Sequence, residues 1–242
     1  MRVLRLQMIL AACAMVLAGC DRADRAFDDH DRARVVSYLA DHPDVIQQGI
    51  DAFQAKEQAR ETAQSERSIG PNRAALERDP GDFVANPRGA ITVTEFYDYR
   101  CPHCVNAAPA VLKIIKDNPD VRFVFKEFPI FGPASETAAA AAIAVKSAGG
   151  DYLKAYAELM SARPLNAEAV DHILAEQGIT PTSLTQPAFV QTANDQLTKT
   201  RKLAATLGVR GTPAFIVGDK MIPGEDMDAL HAAINAARTR KG

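Results

Sequence analysis

Cysteine is scarce in this chain, with four in 242 residues. Only Cys101 and Cys104 lie beyond the first twenty positions, and no two histidines stand at His-x₃₋₅-His spacing. A structural zinc site would therefore lack half of its ligands. Surplus positive charge is also lacking. The net charge is −2, and no basic patch interleaves with aromatics, which excludes nucleic acid as a partner. No run of apolar residues is long enough for a relaxed membrane span of ~20 residues. The stretch Leu6 to Ala18, apolar apart from Gln7, falls short of that length. Following Arg2 and Arg5, it reads as an export signal covering residues 1–19. What remains, 47% hydrophobic and 24% charged residues, is the balance of a soluble globular protein. The length allows one full domain and something extra.

The chain is organised around Cys101-Pro102-His103-Cys104. Ala90 to Tyr97 before it is rich in β-branched and aromatic residues and reads as a buried strand. Val105 to Lys116 after it carries Val111, Leu112 and Ile115 at helical spacing. A Cys-x-x-Cys at a strand-to-helix junction puts both sulfurs on one helical face, within bonding reach. The first sits where unpaired N–H groups and the helix dipole favour a thiolate. A purely structural disulfide is the bland alternative, but so short a loop constrains the unfolded chain little.

Read in order, residues 20–31 form a charged tether. Residues 32–68 form an N-terminal helical segment whose apolar stripe (Val35, Val36, Leu39, then Val45, Ile46, Ile50, Phe53) is too small to be buried alone. Self-association through that stripe is the sharper expectation, and folding onto the main domain the plainer one. Residues 69–81, with Gly70-Pro71 and Pro80-Gly81, read as a linker. From 82 onward the chain gives a short edge strand, strand, helix, strand (Val121 to Phe128), then helices over 133–208. It ends with a hairpin, Ala214 to Ile222 about Gly218-Asp219, and a last helix. A βαβ unit implies parallel neighbours. His30, His42, His172 and His231 fall at polar helical positions and read as solvated.

This order, with Cys-Pro-His-Cys opening the first helix and Gly211-Thr212-Pro213 opening the late hairpin, resembles the DsbA-like thiol–disulfide oxidoreductases. The resemblance implies an α/β thioredoxin fold (βαβ…ββα) with an inserted helical domain, preceded by an N-terminal helical segment. The stretch YLADHPDVIQQGIDAFQ is similar to the leader of the ScsC-like branch, some of whose members oligomerise through it. Carried over by position, Cys101 is implied as an exposed nucleophile and Cys104 as the buried resolving thiol. Pro102 and His103 tune the pair, and Pro213 matches the family's cis-proline. Glu95 matches the buried acid beneath the disulfide, with Lys126 as its charged neighbour. Arg210, Gly211 and Thr212 would pair by backbone with an extended substrate segment. Leu17-Ala18-Gly19-Cys20 resembles a lipobox. It implies lipidation at Cys20, and Asp21 resembles an inner-membrane retention mark.

The expected activity is disulfide exchange with exported proteins in the bacterial periplasm or envelope, with no metal and no cofactor beyond the cysteine pair. Oxidase and isomerase directions both stay open. Pro-His leans toward an oxidase recharged by a DsbB-like membrane partner. Thr212 and the extra helices lean toward an oligomeric isomerase kept reduced by a DsbD-like one. A different class, a copper(I)-binding dithiol protein, is the alternative, because soft thiolates suit that ion.

Overall fold

The computed structural model describes residues 28–240. The expected export signal, the lipidation site Cys20 and Asp21 lie outside the described residues. The chain divides into two compact units at Gln58/Ala59.

In the first unit, helix α1 (Asp29–Asp41) begins where the Asp28 carboxylate accepts the Asp31 N–H at 2.7 Å. That cap, with Asp29 and Asp31 complementing the helix dipole, starts the helix inside the stretch expected to be tether. The tether reading is corrected to that extent. Helix α2 (Pro43–Ile69) opens on a proline whose missing N–H costs nothing there. It continues into the second unit. Up to Gln58, the side chains of Val35, Val36, Tyr38, Ile46, Ile50 and Phe53 are exposed.

The second unit is built on a five-stranded sheet in the order β1-β3-β2-β4-β5. Its strands are β1 (Phe83–Ala85), β2 (Ile91–Tyr97), β3 (Val121–Glu127), β4 (Ala214–Val217) and β5 (Lys220–Pro223). The central β2 pairs parallel with β3 and antiparallel with β4. Helix α4 (Pro102–Asp117) makes the crossover, as a parallel pair requires. Between β3 and β4 come α5 (Pro133–Ser147), α6 (Tyr152–Ser161), α7 (Ala167–Glu176), a 3₁₀ turn (Pro181–Thr185) and α8 (Pro187–Leu207). The last helix is α9 (Met227–Thr239). The fold is the expected mixed α/β thioredoxin fold with an inserted helical region.

Strand residues alternate between two cores, one on each face of the sheet. Ile91, Val93, Tyr97, Val121, Phe123 and Phe125 join α4, α6 and α9 in the larger cluster. Phe96 and Ile216 join Leu203 and Leu207 of α8 in the smaller one. Ile69 and Leu76 are wholly buried in that second cluster. Leu76 belongs to a short helix, α3 (Arg73–Glu77). Each such side chain is worth about 1.5–3 kcal/mol when buried. The expected linker over 69–81 is thus a packed segment, and the unit boundary lies earlier, within α2. Its Gly and Pro residues make turns within that segment.

Candidate active site

The site forms where β2 ends. Asp98, buried, turns the chain: its Oδ1 accepts the Arg100 N–H at 2.7 Å and the Ser135 hydroxyl at 2.7 Å. Its Oδ2 accepts the N–H groups of Ile130 and Phe131 at 2.6 and 3.0 Å. One carboxylate therefore ties the loop before the cysteines to the loop after β3. The Cys101 N–H donates to the Asp98 carbonyl at 3.1 Å. Cys101 then serves as the N-cap of α4 in extended geometry, with Pro102 in the first turn. Cys104 follows one turn on, and both thiols are free.

Cys104 has no exposed surface, and Cys101 is only 2% exposed. The expectation of an exposed Cys101 is corrected. Its sulfur packs into the main core cluster and donates to the Thr212 carbonyl at 3.1 Å. No backbone N–H caps through this side chain. Pro102 and His103 are exposed beside it. His103 places Nδ1 3.1 Å from Glu225 Oε1, a pair that is ionic only when the imidazole is protonated. Glu225 was not visible in the sequence as a site residue. Only the hairpin carries it there, fixed by the Gly224 N–H donating to the Pro213 carbonyl at 2.8 Å.

The Thr212–Pro213 peptide is cis, as is Arg163–Pro164. Pro213 is buried, Thr212 half-buried, and Gly211 and Arg210 exposed. The Arg210 guanidinium makes a two-point ion pair with Glu61 of α2, at 2.9 and 3.0 Å. So the structure gathers Cys101, Cys104, Thr212 and Pro213 at one point, with Gly211 and Arg210 on the adjoining loop.

Glu95 lies beneath, fully buried, with no well-formed hydrogen bond at either carboxylate oxygen and the Tyr156 phenol as the one nearby donor that acts on it. Burial first, then the charge of Glu127, pushes its pKa up to about 8. Burial likewise pushes the Cys104 thiol well above the ordinary range, and Glu95 adds to that. Lys126 is not its neighbour, contrary to the expectation. In the parallel register Lys126 stands opposite Phe96, on the other face from Glu95. There it ion-pairs with buried Asp82 and donates to the Ala75 carbonyl at 2.6 Å. The acid that does share Glu95's face is Glu127. Its Oε1 accepts the hydroxyls of Tyr97, Tyr152 and Tyr99 at 2.5, 2.7 and 3.1 Å. No spacing in the sequence signals that convergence, since it needs the strand register and α6 together.

Two thiols one helical turn apart, beside a peptide carbonyl and over a buried acid, can pass two electrons to or from a disulfide. That chemistry defines the thiol–disulfide oxidoreductases. The family model described as a DSBA-like thioredoxin domain matches residues 92–235, and the chain belongs to that family. A thioredoxin-like oxidoreductase from Silicibacter pomeroyi is 35% identical, with a TM-score of 0.63 over 69% of this chain and 98% of its own. ScsC of Proteus mirabilis, in a transitional conformation, is 25% identical with a TM-score of 0.64 over 90% and 99%. The Na⁺/H⁺ antiporter NhaA 1 of Salinispora arenicola is 29% identical over 64% of this chain but 24% of its own length. The chain thus spans about a quarter of the length of the antiporters it matches. Among the described residues no helix is long and apolar enough to cross a membrane. A periplasmic or envelope location is typical of the DsbA/ScsC family.

Proposed function

We propose that this protein exchanges disulfides with exported proteins, with Cys101 as the attacking and attacked sulfur and Cys104 as the resolving thiol. The observation that carries the reading is the Cys101 sulfur at 3.1 Å from the Thr212 carbonyl, above a completely buried Cys104. In the oxidising direction a substrate thiolate attacks Cys101 of the Cys101–Cys104 disulfide. The Cys101–substrate bond forms, the Cys101–Cys104 bond breaks, and Cys104 leaves with the electron pair and takes up a proton. A second substrate thiolate then attacks the substrate sulfur, releasing an oxidised substrate and a reduced pair. Run backward, reduced Cys101 opens a wrong disulfide and Cys104 frees stalled complexes. Glu95 is the proton acceptor and donor for Cys104, and Gly211 and Thr212 lie where an extended substrate would run.

We favour the isomerase direction, in an oligomer. The exposed Val36, Tyr38, Ile46, Ile50 and Phe53 support it, as does a likeness to ScsC reaching 90% of the chain. A DsbD-like membrane protein would then keep the pair reduced. Lipid anchoring at Cys20, with Asp21 holding the protein at the inner membrane, completes the proposal. The test is the soluble chain starting after Cys20, assayed on scrambled and on reduced ribonuclease. Unscrambling by an oligomer is the expected result. A monomer that oxidises and never unscrambles would establish an oxidase recharged by a DsbB-like partner. Loss of both activities in Cys101→Ser is required in either case.

A further inference from the structure

The exchange reaction as written uses one buried acid, Glu95, yet the structure buries two on the same face of the sheet. Glu95 stands opposite Phe125, and Tyr97 stands opposite Glu127. The two acids are therefore diagonal neighbours across β2 and β3. With strands ~4.8 Å apart and a rise of ~3.3 Å per residue, their Cα atoms are roughly 8 Å apart. Their surroundings differ sharply. Three phenol hydroxyls converge on Glu127 Oε1, from Tyr97 and Tyr99 at the end of β2 and from Tyr152 of α6. Tyr97 also touches the hydroxyls of Tyr99 and Tyr152, at 3.1 and 2.6 Å. At Glu95 only the Tyr156 phenol stands close enough to favour the ionised form, without a well-formed hydrogen bond, and the Oε2 of Glu127 is likewise unpartnered. Donors favour the ionised form and naked burial favours the protonated one. Burial raises both acids, each to about 8, and the three hydroxyls on Glu127 favour it as the one that ionises first, its charge then pushing Glu95 up.

We propose that Glu127, gripped by three tyrosine hydroxyls, is a positioning residue for the exchange reaction: the charge it takes up ahead of Glu95 governs when Glu95 can accept the proton of Cys104. The proposal rests on the dithiol reading above. In the step concerned, the Cys104 proton passes to the Glu95 carboxylate. The Cys104 thiolate attacks Cys101, the Cys101–Cys104 bond forms, the Cys101–substrate bond breaks, and substrate leaves as thiolate with the electron pair. Once ionised, Glu127 makes Glu95 a stronger base. The same charge delays to higher pH the point at which Glu95 is ionised and ready.

The other groups facing this pair do not supply that charge. Tyr97, Tyr99, Tyr152 and Tyr156 are buried phenols pushed upward by desolvation, so they stay neutral. Cys104 is held protonated by burial. Asp98 raises Glu127, whereas the charge acting on Glu95 is that of Glu127 rather than Asp98. From the far side, Asp82 and Lys146 line with Glu127 and Tyr152 a cavity of about 10 Å³, room for about one water. Asp82 is ion-paired with Lys126, and Lys146 donates to the Pro80 carbonyl.

The test uses the full mature chain, reduced, as wild type, Glu127→Gln and Tyr152→Phe. Two readouts are taken against pH: the ¹³C titration of the Glu95 carboxyl, assigned with Glu95→Gln, and the rate at which Cys104 releases nitrothiobenzoate from a preformed mixed disulfide on Cys101. Glu127→Gln should lower both midpoints by roughly one pH unit, the effect of removing one charge at this range in a protein interior. Tyr152→Phe keeps the ring stacked on Phe83 (centroids 4.1 Å apart) but removes one donor, and should lower both by less. If Glu127→Gln does not fold, Tyr152→Phe decides alone. Midpoints unchanged in a folded variant would overturn the proposal and leave Glu127 a structural knot. A wild type that never releases the reporter through Cys104 would instead sink the dithiol reading, while the carboxyl titration would still judge Glu127.

Discussion

At the scale of single residues, the acid beneath the cysteines exacts a cost in stability. Glu95 is raised in the folded state to about 8, above an ordinary value of 4.5. The folded protein therefore binds a proton there that the unfolded chain has released. For an acid shifted upward, the stabilisation is whole below the unfolded value and disappears as pH rises through the folded one. The reduced protein should be more stable to urea at pH 5 than at pH 8, by on the order of a few kcal/mol. Glu95→Gln should reduce that dependence without abolishing it, because burial raises Glu127 to about 8 and Asp82 to about 6 with the same sign. A profile as steep in the variant as in the wild type would assign the effect elsewhere. His103 and Glu225 give the opposite lesson. Both are substantially exposed, with side chains 65% and 38% accessible. Surface ion pairs of this kind are worth about 0–1 kcal/mol. Glu225→Gln should therefore change the rate of thiol exchange by less than about five-fold, measured with a small aromatic disulfide. Of the site, the cysteines were legible from motif and spacing, and Glu95 and Pro213 only through the resemblance. Asp98, Glu127 and Glu225 were not, because each acts through partners more than twenty residues away.

At the scale of elements, what sequence reveals is period, and what it hides is register. The β-branched and aromatic run of β2 and the helical spacing after Cys104 give a strand and a helix without any coordinates. Lys126 shows the limit. Its place beside Glu95 was inferred from strand position, and a parity of one residue put it on the opposite face, with Asp82. That buried pair is a stringent element. Burial raises Asp82 to about 6 even against Lys126, and Gln196 donates to its other oxygen at 2.9 Å. Removing one partner leaves an uncompensated buried charge. Asp82→Ala should cost about 3–5 kcal/mol of unfolding free energy, and Asp82→Leu with Lys126→Met distinctly less. The end of α8 offers a second test. Gly208 terminates it in the left-handed region at φ 73°, and a Cβ there would meet the Ser65 hydroxyl at 2.6 Å. Gly208→Ala should lower stability by about 1–2 kcal/mol, read from the urea midpoint.

At the scale of the whole molecule, the two compact units divide the labour unequally. The catalytic unit needs no help to bury its core, whereas the residues up to Gln58 leave Val36 and Phe53 each about two-thirds exposed, at 67% and 66%. A chain starting at Ala59 should therefore run as a monomer in light scattering, keep dithiol oxidation of a small substrate, and lose unscrambling. The linker expected at 69–81 misled because turn residues mark bends, and bends occur inside packed units as well as between them. Composition alone does not distinguish the two.

The hydrogen bond from Cys101 to the Thr212 carbonyl has a consequence for turnover. With the thiol present, the molecule occupies a carbonyl of the edge proposed above for substrate. Once that sulfur is oxidised it has no hydrogen to give, and the carbonyl is free for a visiting chain. On the proposed reading, affinity for extended peptides is coupled to electron count: the oxidised form should hold a peptide more tightly than the reduced one, so that discharge favours release of the product.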